Sequence, residues 1–218
     1  MTGSAQQIDR SAFALACAMA ALAGGTDVCG LYRLHNLFVS FMSGNTTILA
    51  FSIGHGHLAR AGSAAELVGL FVGGAFAGTV IAGLSGRWHF SVVTVAVAAL
   101  LLTASVWSSA TAALLALAMG ALNAAMHRAG KTGVALTYVT GALVRFATGL
   151  GRAVCGRVGD DDGWPLQGLL WLALLIGATL SSVAIMHWSI GDTLRTLSGS
   201  AFVLAFIAAI RPEAASSR

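Results

Sequence analysis

The chain has 218 residues, of which 57% are hydrophobic and only 9% are charged, and its formal net charge is +4. A soluble domain carries about 25% charged residues, so this composition excludes a soluble domain and indicates a membrane protein. The basic residues are dispersed through short connections, which is typical of membrane-flanking charge and not of a nucleic-acid surface. Three cysteines without CxxC spacing predict neither a disulfide framework nor a zinc site.

Eight apolar runs predict an all-α, polytopic fold with about six to eight membrane segments in one integrated membrane domain. In chain order the runs cover about 12–32, 37–54, 65–86, 90–107, 110–126, 133–151, 165–187 and 191–210. Polar tails over 1–11 and 211–218 flank them. The first run is expected to be interrupted at Gly24-Gly25-Thr26-Asp27, and Pro165 is expected in the first turn of the seventh helix.

Two motifs repeat in the two halves of the chain. Phe41-Met42-Ser43-Gly44 matches Tyr138-Val139-Thr140-Gly141 at an offset of 97 positions, and Asp27 precedes the first motif as Asn123 precedes the second. Many transporters build a central site from two such internal repeats. The sequence therefore predicts a first membrane repeat over 12–107 and a second over 108–210. It leaves open whether the repeats are parallel or inverted, because this depends on whether every segment spans.

The runs over about 37–54 and 133–151 are short for a membrane span. Each begins with a β-prone stretch and then reaches a hydroxyl residue followed by glycine. We interpret each as an extended piece leading into a half-helix, which is allowed at membrane depth only where protein or a wet cavity surrounds it. The alternative is an ordinary full helix with polar residues on its packing face.

Asp27 is the strongest single candidate for chemistry. A carboxylate inside an apolar segment costs roughly 2.5–3.5 kcal/mol on insertion scales, so it normally faces a cavity or a partner. One interpretation is a carboxylate that couples transport to a proton or cation. The other is a cap or loop residue near the interface. Arg145, one turn after Gly141, is expected either to pair with Asp27, to bind an anionic substrate, or to snorkel to the interface.

Further candidates for substrate binding belong to the two motifs. Ser43, Gly44, Asn45 and Thr46 would present one helix amino terminus to the site, and Thr140 and Gly141 would present another, with Asn123 and Tyr138 nearby. Free N–H groups and the helix dipole favour negative charge at such termini. A site for an anionic or polar neutral solute is therefore expected, unless these groups only bond across helices. No catalytic residue, metal site or cofactor is predicted.

At these residues the chain resembles the YoaK family of small bacterial membrane proteins. The resemblance lies in Gly25-Thr26-Asp27-Val28-Cys29-Gly30, Leu37 to Thr47, Met119 to Ala125 and Leu136 to Arg145, and it covers essentially the whole chain. Ile48 is a departure, since members often carry Arg near the end of the first motif. The resemblance implies a multi-pass protein of the bacterial cytoplasmic (inner) membrane, whose family is described by a domain of unknown function.

The leading functional hypothesis is a small-molecule transporter or channel with a central site between the two motifs. The alternatives are a membrane-embedded enzyme that uses Asp27, and a structural or assembly subunit that transports nothing. The expected partners are the lipid bilayer, an unidentified small polar or anionic solute, and a second copy of the chain in a possible homodimer. If every segment spans, the basic residues divide six against five, which leaves the orientation open.

Overall fold

The computed structural model describes residues 10–34, 36–129, 139–156 and 163–210, and these ranges contain helices but no strand. The helices are α1 (Arg10–Arg33), α2 (Met42–Gly54), α3 (Leu58–Leu84), α4 (His89–Val106), α5 (Thr111–Ala129), α6 (Val139–Val154), α7 (Trp164–His187) and α8 (Ile190–Ala209). The predicted all-α, polytopic fold is confirmed. Pro165 lies in the first turn of α7, as expected.

Helix length separates the spanning helices from the short ones. Five helices are long and apolar enough to cross a membrane, namely α1, α3, α4, α7 and α8. The 19 residues of α5 extend over about 28 Å, close to the hydrocarbon thickness of a bilayer. The 13 residues of α2 extend over only about 20 Å, so α2 is a half-helix, as its short run predicted. α6 is described from Val139 to Val154, and the half-helix predicted for the second motif stays a prediction.

The helices pack in pairs that are related by exchange of the two halves. The most extensive interfaces join α3 with α5, α1 with α7, and α4 with α8, while α2 packs on α3 and α6 packs on α7. Exchanging α1–α4 with α5–α8 converts the α1–α7 pair into the α5–α3 pair and returns α4–α8 to itself. The packing thus has the pairing expected of two structural repeats, and each half contributes its first helix to the other half.

Glycines set the close approach at the two equivalent crossings. A Cβ added at Gly24 of α1 would overlap the carbonyl oxygen of Leu174, and one at Gly177 of α7 would overlap that of Ala21. The α3–α5 crossing repeats the arrangement at equivalent positions, with Gly120 against Phe71 and Gly74 against Leu117. Backbones can meet this closely only where side chains are absent, so these glycines are packing residues.

The same packing explains why one expectation was wrong. The predicted interruption at Gly24-Gly25-Thr26-Asp27 does not occur, because α1 is continuous from Arg10 to Arg33. Gly24 and Gly25 face α7, where added side chains would meet Leu174 and Ser181. The Thr26 hydroxyl donates to the Leu22 carbonyl one turn earlier. Gly24-Gly25-Thr26-Asp27 thus belongs to a packing face of a continuous helix.

Contacts between α4 and α8 determine the relation between the repeats. The Ser198 hydroxyl donates to the Ala98 carbonyl at 2.7 Å, and Gly191 lies against the Ser105 carbonyl. Later residues of α4 therefore contact earlier residues of α8, so the two helices are antiparallel. Because exchange of the halves converts α4 into α8, antiparallel packing means that the repeats are inverted, with a pseudo-twofold axis in the membrane plane.

The direction of every spanning helix follows from these contacts. α1 and α7 run parallel, since Ala21 faces Gly177 and Gly25 faces Ser181, and α3 and α5 do so by the equivalent contacts. Short turns make α4–α5 and α7–α8 antiparallel hairpins. Hence α1, α4 and α7 point one way, and α3, α5 and α8 point the other. Since α3 starts on the membrane side where α1 ends, the segment containing α2 enters and leaves by that side, and α6 belongs to a second re-entrant segment on the opposite side.

Candidate functional site

The first motif forms a non-helical segment over residues 36–41, named the extended segment, which bends at residues 36, 39 and 40 and leads into α2. Asp27 holds this segment from α1: its Oδ1 accepts hydrogen bonds from the backbone N–H of Val39 at 3.0 Å and of Ser40 at 2.9 Å. The Asp27 side chain is buried, with 6% of the residue exposed. Its helix continues for six residues to Arg33, so the contact lies roughly 9 Å inside the end of α1.

Asn45, in the first turn of α2, holds the extended segment from its other side. Its Oδ1 accepts from the Phe38 N–H at 2.9 Å, and its Nδ2 donates to the Phe38 carbonyl at 2.6 Å. Asn45 is fully buried. Non-helical backbone at membrane depth needs a partner for every N–H and carbonyl group, because no lipid can supply one. Asp27 and Asn45 together supply four such bonds to residues 38–40.

The Asp27 carboxylate has protein partners, which is one of the two situations expected for a charge in an apolar segment. It lies within a helix and not in a loop, and its partners are backbone amides and not Arg145. In the described part of the chain its second oxygen, Oδ2, has no hydrogen-bond partner, and neither has the Ser40 hydroxyl, which lies beside the same carboxylate without reaching hydrogen-bond geometry. Two adjacent buried polar atoms thus remain available to a proton, a water molecule, an ion or a solute.

The amino terminus of α2 has no side-chain cap. Gly44 packs against the Phe38 ring, whereas Ser43 and Thr46 are exposed. The Thr46 hydroxyl donates to the Met42 carbonyl within α2 and adds nothing to the extended segment. Backbone carbonyls satisfy part of this terminus, since the Met42 N–H donates to the Ser40 carbonyl and the Gly44 and Asn45 N–H groups donate to the Phe41 carbonyl. The positive end of the helix dipole is still directed into the membrane interior.

The second motif is described from Val139 onward, and Tyr138 lies outside the described residues. Gly141 is buried, while Thr140 and Arg145 are exposed on α6. Asn123 donates from Nδ2 to the Met119 carbonyl. These residues occupy positions equivalent to those of the first motif, but α2 and α6 pack against different helices and share no extensive interface within the described ranges. The approach of the two motifs across the pseudo-twofold axis stays a prediction.

The two motifs differ at the positions that hold the extended segment. At the motif offset of 97, Asn45 corresponds to Ala142, and at the helix offset of 96, Asp27 corresponds to the neutral Asn123. The backbone acceptors and donors of residues 38–40 were not predicted as functional, although a β-prone stretch beside a buried carboxylate and amide is the signal that would have found them.

A large groove lies elsewhere in the molecule. Its volume is about 1060 Å³, and α1, α7 and α8 line it with mainly apolar residues that include the exposed Leu180, Val183 and Val203. None of the sequence-predicted site residues lines this groove. Because its mouth carries exposed apolar side chains, we assign it to the lipid-facing surface and keep the motifs as the candidate site.

Eight helices in the described ranges, five of them long and apolar enough to span a bilayer, define the class: a polytopic α-helical membrane protein. The chain matches, over residues 15–210, the family model described as "Protein of unknown function (DUF1275)", and it belongs to that family. It is similar to the UPF0700 transmembrane protein RA0705 of Rhizobium meliloti (strain 1021), with 35% identity over 175 residues that cover 79% of this chain and 75% of the relative. No solved structure matches it. The expected family resemblance and the membrane class are confirmed.

Proposed function

We propose that the protein is a small-molecule transporter or channel of the bacterial cytoplasmic membrane, with a central site between the two motifs for an anionic or polar neutral solute. The observation that carries the proposal is the re-entrant segment of the first repeat, residues 36–54, within inverted repeats whose α6 lies between α5 and α7 on the opposite membrane side. A membrane protein keeps non-helical backbone at this depth where it lines a site or cavity, and half-helix amino termini then face the solute.

The buried polar atoms of the first motif support the same function. Asp27 uses Oδ1 to hold the extended segment and keeps Oδ2 beside the Ser40 hydroxyl. A proton or a cation on Oδ2 would remove the uncompensated charge of a buried carboxylate, which is the property required of a coupling group. We propose this role for Asp27 in addition to its structural one.

Catalysis is not part of the proposal. An enzyme that used Asp27 would need a second catalytic group, and the described partners of this carboxylate are two backbone amides beside the Ser40 hydroxyl. A subunit that transports nothing is the alternative, and it would show no flux of any solute.

The proposal is tested with purified protein. Thermal-shift screening with anionic, neutral and cationic solutes would find a ligand, since a solute at 100 times its dissociation constant adds about 2.7 kcal/mol of stability. Flux of each stabilising solute into proteoliposomes then tests transport. Absence of both stabilisation and flux for every solute would overturn the proposal.

Asp27→Asn tests the coupling role separately. The amide oxygen of Asn can accept the same two backbone N–H groups, so the fold is expected to persist while the charge is lost. Asp192→Asn is the matched control, because Asp192 is an exposed carboxylate that pairs with Arg195 at the start of α8. We expect coupled uptake to be lost only in Asp27→Asn, and equal uptake by the two variants would exclude coupling through Asp27.

A further inference from the structure

We propose that α6 carries an arginine stripe that admits anions to the central site from the cytoplasmic side, an inference that rests on the proposed transport function and narrows its substrate class. The stripe consists of Gly141, Arg145, Thr148 and Arg152, which follow each other at intervals of four, three and four residues. At helical spacing these residues lie on one flank of α6. All of them except Gly141 are exposed.

The other flanks of α6 have different surroundings. Gly149 and Phe146 form its contact with α7, where a Cβ at Gly149 would meet Trp164 and the Phe146 and Trp164 rings lie 5.6 Å apart. The flank opposite the stripe exposes the apolar residues Leu143, Leu150 and Val154. A helix with one apolar exposed flank and one basic exposed flank turns the apolar one to lipid and the basic one to water.

The depth of Arg145 argues for a wet path and against a headgroup contact. Arg145 lies nine residues before the outer end of α6 at Val154, which is about 13 Å along the helix. Its guanidinium makes no hydrogen bond or ion pair with the described part of the chain, and the only described side-chain hydrogen bond to this residue is the Thr148 hydroxyl donating to its backbone carbonyl, so its charge is available. A charged side chain at this depth normally faces a water-filled cavity or a solute pathway.

The stripe is present in only one of the two re-entrant segments. At the motif offset of 97, Arg145 corresponds to Ile48, Thr148 to Phe51 and Arg152 to His55. α2 thus has an apolar side chain at the position of the deep arginine, and Phe51 stacks on His55 with ring centroids 4.0 Å apart. The two entrances to the site therefore differ in charge, and the α6 entrance is the one whose arginines attract anions.

The inverted topology also assigns this entrance to one side of the membrane. Each basic residue outside the helix interiors can be assigned to the membrane side of the helix end that it flanks in the sequence. By this assignment, eight basic residues belong to the side on which α6 ends and three belong to the other side. The first set is Arg10, Arg87, Arg128, Lys131, Arg152, Arg157, Arg211 and Arg218, and the second is Arg33, Arg60 and Arg195. The positive-inside rule then places the outer end of α6 in the cytoplasm. The six-against-five division of basic residues assumed that all eight segments span the membrane, and it does not apply to this topology.

Charged thiol reagents test the stripe without any assumption about the transported solute. Thr148→Cys and Leu150→Cys are made in a Cys155→Ser background, reconstituted, and labelled at the introduced cysteine with a sulfonate-bearing and a trimethylammonium-bearing methanethiosulfonate. We expect Thr148→Cys to react from the cytoplasmic side and faster with the anionic reagent, while Leu150→Cys stays unreactive. Adding Arg145→Gln should lower the anionic-to-cationic rate ratio about fivefold.

Two further arms separate the sources of negative charge. Vesicles of phosphatidylcholine and of phosphatidylglycerol distinguish a solute path from a lipid site, since a headgroup bound to the stripe would suppress labelling only in the anionic vesicles and would overturn the proposal. Uptake of sulfate, phosphate and a neutral sugar compares Arg145→Gln with Arg195→Gln, and we expect loss of anion uptake only in the first.

These readouts keep the two proposals apart. An unreactive Thr148→Cys, or a rate ratio that Arg145→Gln leaves unchanged, would refute the arginine stripe whatever the protein transports. Selective labelling without flux of any solute would support the stripe and refute the transport function.

Discussion

Replacing Asn45 tests whether its side chain holds the extended segment in place. Asn45→Ala removes two hydrogen bonds to Phe38 and leaves a partly buried N–H and a partly buried carbonyl without these partners. Each unsatisfied group costs roughly 1–3 kcal/mol, so the loss of both bonds is expected to cost about 2–6 kcal/mol. For a chain of this size, a loss of about 3 kcal/mol lowers Tm by roughly 6–12 °C.

The matched control is Thr46→Ala, one residue further along α2. The Thr46 side chain is exposed, and its hydroxyl bonds only to the Met42 carbonyl of its own helix. Its removal should change stability by no more than about 0.5 kcal/mol. Thermal unfolding of both variants in the same detergent, followed by tryptophan fluorescence and by the loss of the monodisperse peak, gives the comparison. Equal Tm values for Asn45→Ala and Thr46→Ala would refute the reasoning, because the extended segment would then not depend on Asn45.

Three further predictions test the packing, the topology and the carboxylate. Gly177→Ala should destabilise the protein strongly, because its methyl group would overlap the Ala21 carbonyl, whereas Gly199→Ala meets open space and should be neutral in the same Tm measurement. An impermeant thiol reagent should label native Cys155 and an introduced His57→Cys from opposite sides of the membrane; labelling from one side would disprove the re-entrant topology. Asp27→Leu, which cannot accept the two amides, should lower Tm more than Asp27→Asn, and equal losses would show that the carboxylate does not hold the segment.

The fold class was predictable because it depends on composition and run length. Eight runs of apolar residues give the eight helices to within a few residues for most boundaries, and the first short motif gives a half-helix. The interruption of α1 was predicted wrongly because glycine in a membrane helix can either break the helix or allow a close contact with another helix. The position of Leu174 opposite Gly24 shows that the glycines of α1 allow a close contact.

The candidate site was predictable in its residues but not in their roles. Asp27 and Asn45 stand out in the sequence as polar residues in apolar runs, yet their partners are backbone groups of residues 38–40, for which the β-prone composition of that stretch is the only sequence signal. The inversion of the repeats was also not predictable from the sequence. It follows from the antiparallel contact between Ser198 and Ala98, which are 100 residues apart. An apolar run in the sequence does not show in which direction its helix crosses the membrane.

The exchange of first helices between the halves has a consequence for biogenesis. Asp27 meets its partners within 13 residues of chain, so the extended segment can be secured as soon as α2 leaves the ribosome. The glycine surface of α1 has no such local partner, because Gly24 packs against Leu174, which is synthesised 150 residues later. During that interval the partners of α1 are its own re-entrant segment and, once it is made, α5. A chain that stops before α7 is expected to insert and to bind its own re-entrant segment, but to present a bare glycine face to lipid and to the cell's quality-control proteases.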